Sequence, residues 1–331
     1  MTAPLTVIID QVEGRFPMSS VQVSSDNIHR AEHARAVGRS QRREVRAAHA
    51  FLAPALVFFA IFLLLPFVFA IVLSMSKWGG FDITRIQFVG FTNFKNLFGP
   101  TSLFINPILW QTLLFSVMSV ALTVIGALII TSCIERLRFQ GFWRLLFFLP
   151  VVTNVAAIGN VWKQMYQPYG LINGMLNTLG IKSIKFLNDT SLALPSVAVV
   201  YAWVSIGTAT LILTAGIKSI DAGIYEAAEL DGANSWKVFW NITLPLLRPT
   251  LLFVTITQVI SSMQSFVLMI SMTQGGGPAN STKVAALAMY QTAFNEGNYG
   301  SANAMAIILF AIIFIATLIQ LWVNNRRGEE D

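Results

Sequence analysis

The residues able to do chemistry in this chain are few and fall in two places. Residues 226–245 read Glu-Ala-Ala-Glu-Leu-Asp-Gly-Ala-Asn-Ser-Trp-Lys-Val-Phe-Trp-Asn-Ile-Thr-Leu-Pro, a polar stretch between two apolar spans. Its carboxylates (Glu226, Glu229, Asp231) beside small residues (Ala227, Ala228, Gly232, Ala233) suit docking of another protein surface better than covalent catalysis. The second place is intramembrane. Ser205 and Thr208 lie in one apolar span, and Gln258, Ser261, Ser262, Gln264 and Ser265 in the next. Positions 258, 261, 262 and 265 recur at helical spacing and are expected to share one face. Neutral hydroxyl and amide groups there suit hydrogen bonding to an uncharged, hydroxylated solute, and intramembrane polar residues are functional candidates by default.

Other chemistries are disfavoured. The Gly275-Gly276-Gly277-Pro278 stretch with Ser281-Thr282-Lys283 has the residue types of a phosphate loop. The order is wrong, because such a loop needs G-x-x-x-x-G-K-[ST] opening a helix. The three histidines fall early in the chain; His29 and His33 are four apart, yet further ligands are lacking, so no metal site is expected. The single cysteine, Cys133, excludes an intramolecular disulfide. No nucleophile–base pair or paired carboxylates appear, and a membrane-embedded enzyme is disfavoured. Asp82, Glu135, Asp189, Asp221, Glu226, Glu229, Asp231 and Glu296 lie in loops or at span ends. An ion-coupled secondary transporter usually places such groups within its spans, so that alternative is weaker.

The elements that position these residues are membrane helices. The chain has 331 residues, 55% hydrophobic and 11% charged, against about 25% charged in soluble domains. Six apolar segments, at 50–75, 108–132, 143–162, 194–217, 249–272 and 303–323, approach the roughly 20 residues a spanning helix needs. Lipid cannot satisfy open backbone, so each is expected to be helical, giving an all-α membrane protein. Pro54, Pro66, Pro150 and Pro195 predict kinks or unwound turns. A short surface helix is expected over 169–181, where Leu171, Ile172, Met175, Leu176 and Leu179 recur at helical spacing. Arg30, Arg35, Arg39, Arg42, Arg43 and Arg46 crowd a basic tail over residues 1–49. Lys and Arg are more frequent in the segments that share its side than in the opposite loops. The positive-inside rule therefore places both termini and the 226–245 stretch in the cytoplasm. The net charge of +6 reads as topology and contact with lipid headgroups, not as nucleic-acid binding.

Within the cytoplasmic loop, Asp221 is expected to cap a helix from Ala222, with Glu226 and Glu229 early in it. Gly232 suits a left-handed corner, and Asn234 or Ser235 a second cap. Pro245 and Pro249 are expected to stop the second helix and redirect the chain.

The order Glu226-Ala227-Ala228, Asp231-Gly232-Ala233, Leu244-Pro245 resembles the EAA loop of bacterial ABC importer permeases. Gly90-Phe91-Thr92-Asn93-Phe94, Tyr169-Gly170-Leu171-Ile172-Asn173, Gly276-Gly277-Pro278 with Ser281-Thr282, and Tyr299-Gly300-Ser301-Ala302 resemble further segments of the carbohydrate-uptake group, of maltose and glycerol-phosphate type, in the half like the first of two paired permeases. The resemblance implies a type I ABC importer transmembrane domain of six helices with a cytoplasmic coupling helix. The expected organisation is a tail over 1–49, a first helix and outer loop over 50–107, a core over 108–323 and a tail over 324–331. It implies ATPase coupling through Glu226, Ala227, Ala228, Asp231, Gly232, Ala233, Leu244 and Pro245. The implied substrate pathway contains Ser205, Thr208, Gln258, Ser261, Ser262 and Ser265. The implied partners are a second homologous permease, two ATPase subunits carrying ATP and Mg, and an extracytoplasmic sugar-binding protein. No cofactor is expected on this chain. The expected setting is a bacterial cytoplasmic membrane. The expected cargo is a mono- or oligosaccharide, with a polyol or phosphate ester such as glycerol-3-phosphate as the alternative.

Overall fold

The computed structural model describes residues 48–80, 82–135 and 137–328. The expected basic tail, apart from Ala48 and His49, lies outside the described residues, as do His29 and His33. The chain divides into two units, Met1–Val68 and Phe69–Asp331. Through the division runs α1 (Ala48–Ser74), a continuously apolar helix. It widens into a π turn at Ala60–Leu64, just before Pro66. That proline has no N–H to continue the ladder, so the widening falls where the sequence predicts irregularity.

In the second unit, β1 (Ser76–Lys77) pairs antiparallel with β2 (Gln87–Phe88), a departure from the all-α expectation confined to a two-residue pair in a loop. After α2 (Thr92–Leu97) come α3 (Phe104–Ile134), then α4 (Gln140–Val152) and α5 (Val155–Met165). The short α6 (Leu171–Thr178) forms as its apolar spacing predicts. Next are α7 (Ala193–Lys218), α8 (Ala222–Leu230), α9 (Ser235–Leu246), α10 (Arg248–Met263) and α11 (Val267–Thr273). The sequence reading missed α12 (Ala285–Tyr290), which continues as a π turn over Gln291–Asn295. The last helix is α13 (Tyr299–Gly328).

Among the described residues, four helices are long and apolar enough to cross a membrane: α1, α3, which is kinked near its start at Asn106, α7 and α13. The count reaches six when α4 with α5, bent by 98°, and α9 with α10, bent by 68°, are each taken as one span. The span expected at 143–162 is thus sharply broken, at the place where Pro150 predicts a kink or unwound turn. The cause is local. Pro150 lies in a 3-10 turn, Thr153 is extended, and the Asn154 side chain starts a new helix by accepting from the N–H groups of Ala156 and Ala157 at 3.0 and 3.2 Å. The expected fifth span at 249–272 is also interrupted. α10 ends at Met263, and Phe266 has a non-helical backbone before α11 begins. Pro195, in the first turn of α7, bends nothing, because N–H groups there have no helical partner to lose.

α3 is the spine of this unit. Its Phe115 joins a cluster with Val197, Val200, Leu268 and Leu287. Phe104 and Ile108 join another with Met263, Ala304 and Leu309. Ala127 joins a third with Ala209, Leu213 and Val254. In lipid no hydrophobic force drives helix against helix, so close van der Waals approach must hold them. Gly207 shows this: a Cβ there would strike the Phe147 carbonyl oxygen, so α7 touches α4 backbone to backbone.

Candidate functional site

The segment between α7 and α10 folds into two helices at a corner. Asp221 Oδ1 accepts from the Gly223 N–H at 2.8 Å and starts α8. Gly232 ends it at φ +73°. There the Gly232 N–H donates to the Glu229 carbonyl, and the Ala233 N–H to the Ala228 carbonyl, both at 3.0 Å. This paired closure satisfies carbonyls that the helix end would otherwise orphan. Asn234 Oδ1 then accepts from the Lys237 N–H at 2.9 Å and starts α9. The Tyr225 hydroxyl lies 3.3 Å from that of Thr243, bracing the two helices across the corner.

Two expectations for this segment are corrected. Glu226 sits at the middle of α8 and Glu229 near its end, not early in it. Pro245 does not stop α9. It occupies the first turn of Leu244–Leu246, which a π turn at Phe239–Thr243 joins to the preceding helix, and the chain bends at the fully buried Leu247. Leu244 and Pro245 are half-buried at this exit.

Burial divides α8 into two sides. Ala228 is buried and Tyr225 half-buried, whereas Glu226, Ala227, Leu230, Asp231 and Gly232 are exposed and Ala233 is half-buried. Leu230 is 90% exposed, next to the carboxylates. Behind the segment lies a cavity of 460 Å³, lined among others by Ser132, Glu135, Tyr225, Glu229 and Phe239. Beside it, Arg144 Nη2 bonds Glu135 Oε1 at 2.6 Å and Gln140 Oε1 at 3.0 Å, tying the start of α4 to the end of α3.

The intramembrane polar residues separate into two groups. Ser205, Ser261, Gln264 and Ser265 line a cavity of 300 Å³ with Tyr201 and Phe266. Non-helical backbone at membrane depth is tolerated where it lines such a cavity, and the break between α10 and α11 does so. Gln258 and Ser262 are buried instead, with the Ser262 hydroxyl 2.7 Å from that of Ser116 on α3. Thr208 is half-buried and does not line the cavity. The expected single face is thus corrected. α10 packs on α3 along Gln258 and Ser262, whereas Ser261 within the helix and Ser265 just beyond its end line the cavity. Asn173, quoted above only as a motif residue, is a fully buried knot. It donates to the carbonyls of Tyr166, Gln167 and Ile184 and accepts from the Ile184 N–H at 2.8 Å.

At the other end of the unit, the remaining motif residues converge. Asn93 Nδ2 donates to the Ser74 and Ser76 carbonyls, each at 2.9 Å. Gly300 passes so close to the Ser76 carbonyl that a Cβ would strike it. The glycine-rich stretch at 275–277 has positive φ throughout and opens only a 3-10 turn. Among the described residues no group of three or more His, Cys, Asp or Glu could hold a metal.

Broken apolar spans around a polar cavity, with a capped helix corner outside them, define a multi-pass membrane transport protein. The chain belongs to the family of binding-protein-dependent transport system inner membrane components, whose model matches residues 47–329. It is a transmembrane permease subunit and not an enzyme. It is 32% identical to the "Diacetylchitobiose uptake system permease protein NgcF" of Streptomyces coelicolor, over 90% of this chain and 89% of that relative. It is 30% identical to the "Lactose transport system permease protein LacF" of Rhizobium radiobacter, over 84% of this chain and 93% of the relative. A solved bacterial alginate ABC transporter, in complex with alginate pentasaccharide-bound periplasmic protein, shares the fold. It matches with TM-score 0.72 and 22% identity, over 86% of this chain and 96% of that one.

Proposed function

We propose that this chain forms half of the translocation pathway of an ATP-driven sugar importer. It pairs with a second homologous permease, receives cargo from an extracytoplasmic sugar-binding protein, and is driven by two ATPase subunits that carry ATP and Mg. Both termini lie in the cytoplasm. The core runs over 108–323, and 1–49, 50–107 and 324–331 are additions to it.

The observation that carries the coupling role is the exposed face of α8. Glu226, Ala227, Leu230 and Asp231 lie on one side of a helix whose other side, at Ala228, is buried. Small residues admit a partner surface closely, Leu230 offers apolar contact, and Leu244 and Pro245 carry movement of the corner into α10. ATP-driven closure of the partners then rocks the spans as rigid bodies.

Sugar as cargo is supported by the relatives, whose names specify diacetylchitobiose and lactose uptake. It is also supported by the neutral hydroxyl and amide lining around Ser205, Ser261, Gln264 and Ser265, where no ionisable side chain other than the Tyr201 phenol appears. Gln258, Ser262 and Thr208 stand behind or beside this lining and position it.

The test is uptake of labelled saccharide by the whole importer in proteoliposomes. Glu226→Lys is expected to abolish ATP-driven uptake while the chain still inserts. Normal uptake by that variant contradicts the coupling role.

A further inference from the structure

A run of aromatic rings leads away from the hydroxyl-lined cavity. Phe266, at the break between α10 and α11, stacks on Tyr290 with ring centroids 5.3 Å apart and 27° between planes. Tyr290 is 5.2 Å from Phe294, Phe294 is 5.9 Å from Tyr299, and Tyr299 is 5.3 Å from Trp78. The π turn at Gln291–Asn295 carries Phe294. Gly80 sits so near Tyr299 that a Cβ would strike the ring. The end at Tyr299 is remote from the coupling corner, because Pro245 and Leu246 share a groove with Ile319 and Val323, some twenty residues further along α13, or about 30 Å at 1.5 Å per residue.

These rings border a groove of 410 Å³. Gln264 and Phe266 line both this groove and the 300 Å³ cavity, so the two adjoin across those residues. The groove is not purely apolar. Gln264 and Asn303 punctuate it, and two of its rings belong to tyrosines, Tyr290 and Tyr299. By contrast, the exposed stretch of α13 at Phe310, Phe314, Ile315 and Leu318 carries no such groups. Ring faces flanked by a few polar groups match a pyranose, which has an apolar C–H face and a rim of hydroxyls.

Resting on the saccharide reading above, we propose that Trp78, Tyr299, Phe294, Tyr290 and Phe266 form an aromatic track that hands a saccharide from the Tyr299 end of the bundle to the cavity at Ser205 and Ser261. The rings contact sugar C–H faces, which all pyranoses share, and selectivity is left to the polar residues at either end.

Saccharide uptake by the whole importer tests the track. Phe294 is 65% exposed, so its substitution leaves little buried void. Phe294→Leu keeps apolar bulk without a ring, and Phe294→Tyr keeps the ring. The first is expected to lower uptake about fivefold, the scale of one lost aromatic contact, and the second to stay near the parent. Phe314→Leu, away from the track, is expected to leave uptake unchanged. Equal uptake by Phe294→Leu and the parent overturns the track, as does an equal loss in Phe294→Tyr. Failure of the underlying reading is distinguishable, because the unsubstituted importer would then move no saccharide.

Discussion

The Ser116 hydroxyl lies 2.7 Å from the Ser262 hydroxyl, 146 positions later in the chain. This bond joins the middle of α3 to the end of α10, immediately before the backbone leaves the helix at Gln264. It fixes the position from which Ser261 and Ser265 face the cavity. Interhelical hydrogen bonds in membranes contribute roughly 0.6 kcal/mol each. A double-mutant cycle of Ser116→Ala and Ser262→Ala, read by unfolding in detergent, is expected to give a coupling of about that size. Ser262 is 1% exposed, so Ser262→Leu should be far more disruptive than Ser262→Ala, by about 1–3 kcal/mol of overpacking.

Gly232 holds φ +73° with open space around its Cα. Any L side chain there pays for the left-handed backbone, about 1–2 kcal/mol. Gly232→Ala is expected to reduce uptake partially and Gly232→Pro to abolish it, since proline also removes the N–H that closes on Glu229. Proteoliposome transport with quantified insertion separates this from misfolding.

Arg144 and Glu135 are 18% and 25% exposed and bonded at 2.6 Å. Removing one partner leaves the other charge partly desolvated. Glu135→Gln is expected to cost about 1–3 kcal/mol, as for a buried polar group that loses its partner. A larger loss should follow Glu135→Leu, which offers Arg144 no acceptor. Thermal unfolding of the purified chain measures both.

Acid should act weakly through Asp189. The Ser191 hydroxyl and N–H, donating at 2.6 and 2.8 Å, hold this carboxyl below its ordinary value of 3.8. A lowered folded pKa contributes stability that is present above the unfolded value and lost as pH falls through the folded one. The stability gap between the parent and Asp189→Ala should therefore be constant from pH 8 to pH 5 and narrow only as pH falls below the ordinary value of 3.8, measured by thermal unfolding from neutral pH down through the acid range.

The sequence made some of this legible and hid the rest for physical reasons. Asp221, Gly232 and Asn234 act through their own neighbours in the chain, and local chemistry can be read locally. The apolar runs likewise announced α1, α3, α7 and α13. What periodicity could not show was where a run breaks. The Asn154 cap at the bend of α4 and α5 was not foreseen, although an Asn four residues after Pro150 was an available signal. Ser265 looked like part of a helical face because the break at Gln264 contains neither Gly nor Pro. The separation of Ser261 from Ser262 depends on Ser116, far away in sequence. Phe294 and Tyr299 gave no signal of alignment because a π turn sets their geometry.

Coupling requires that α8 be the part a cytoplasmic ATPase holds. Cys133 is the single cysteine and is exposed, so a Cys133→Ser background allows Leu230→Cys to carry the only crosslinkable thiol on the chain. Site-specific crosslinking of that variant within the native importer is expected to capture an ATP-hydrolysing subunit, with a yield that changes between nucleotide-free and ATP-bound states. Capture of no such subunit from an importer that still transports would contradict it.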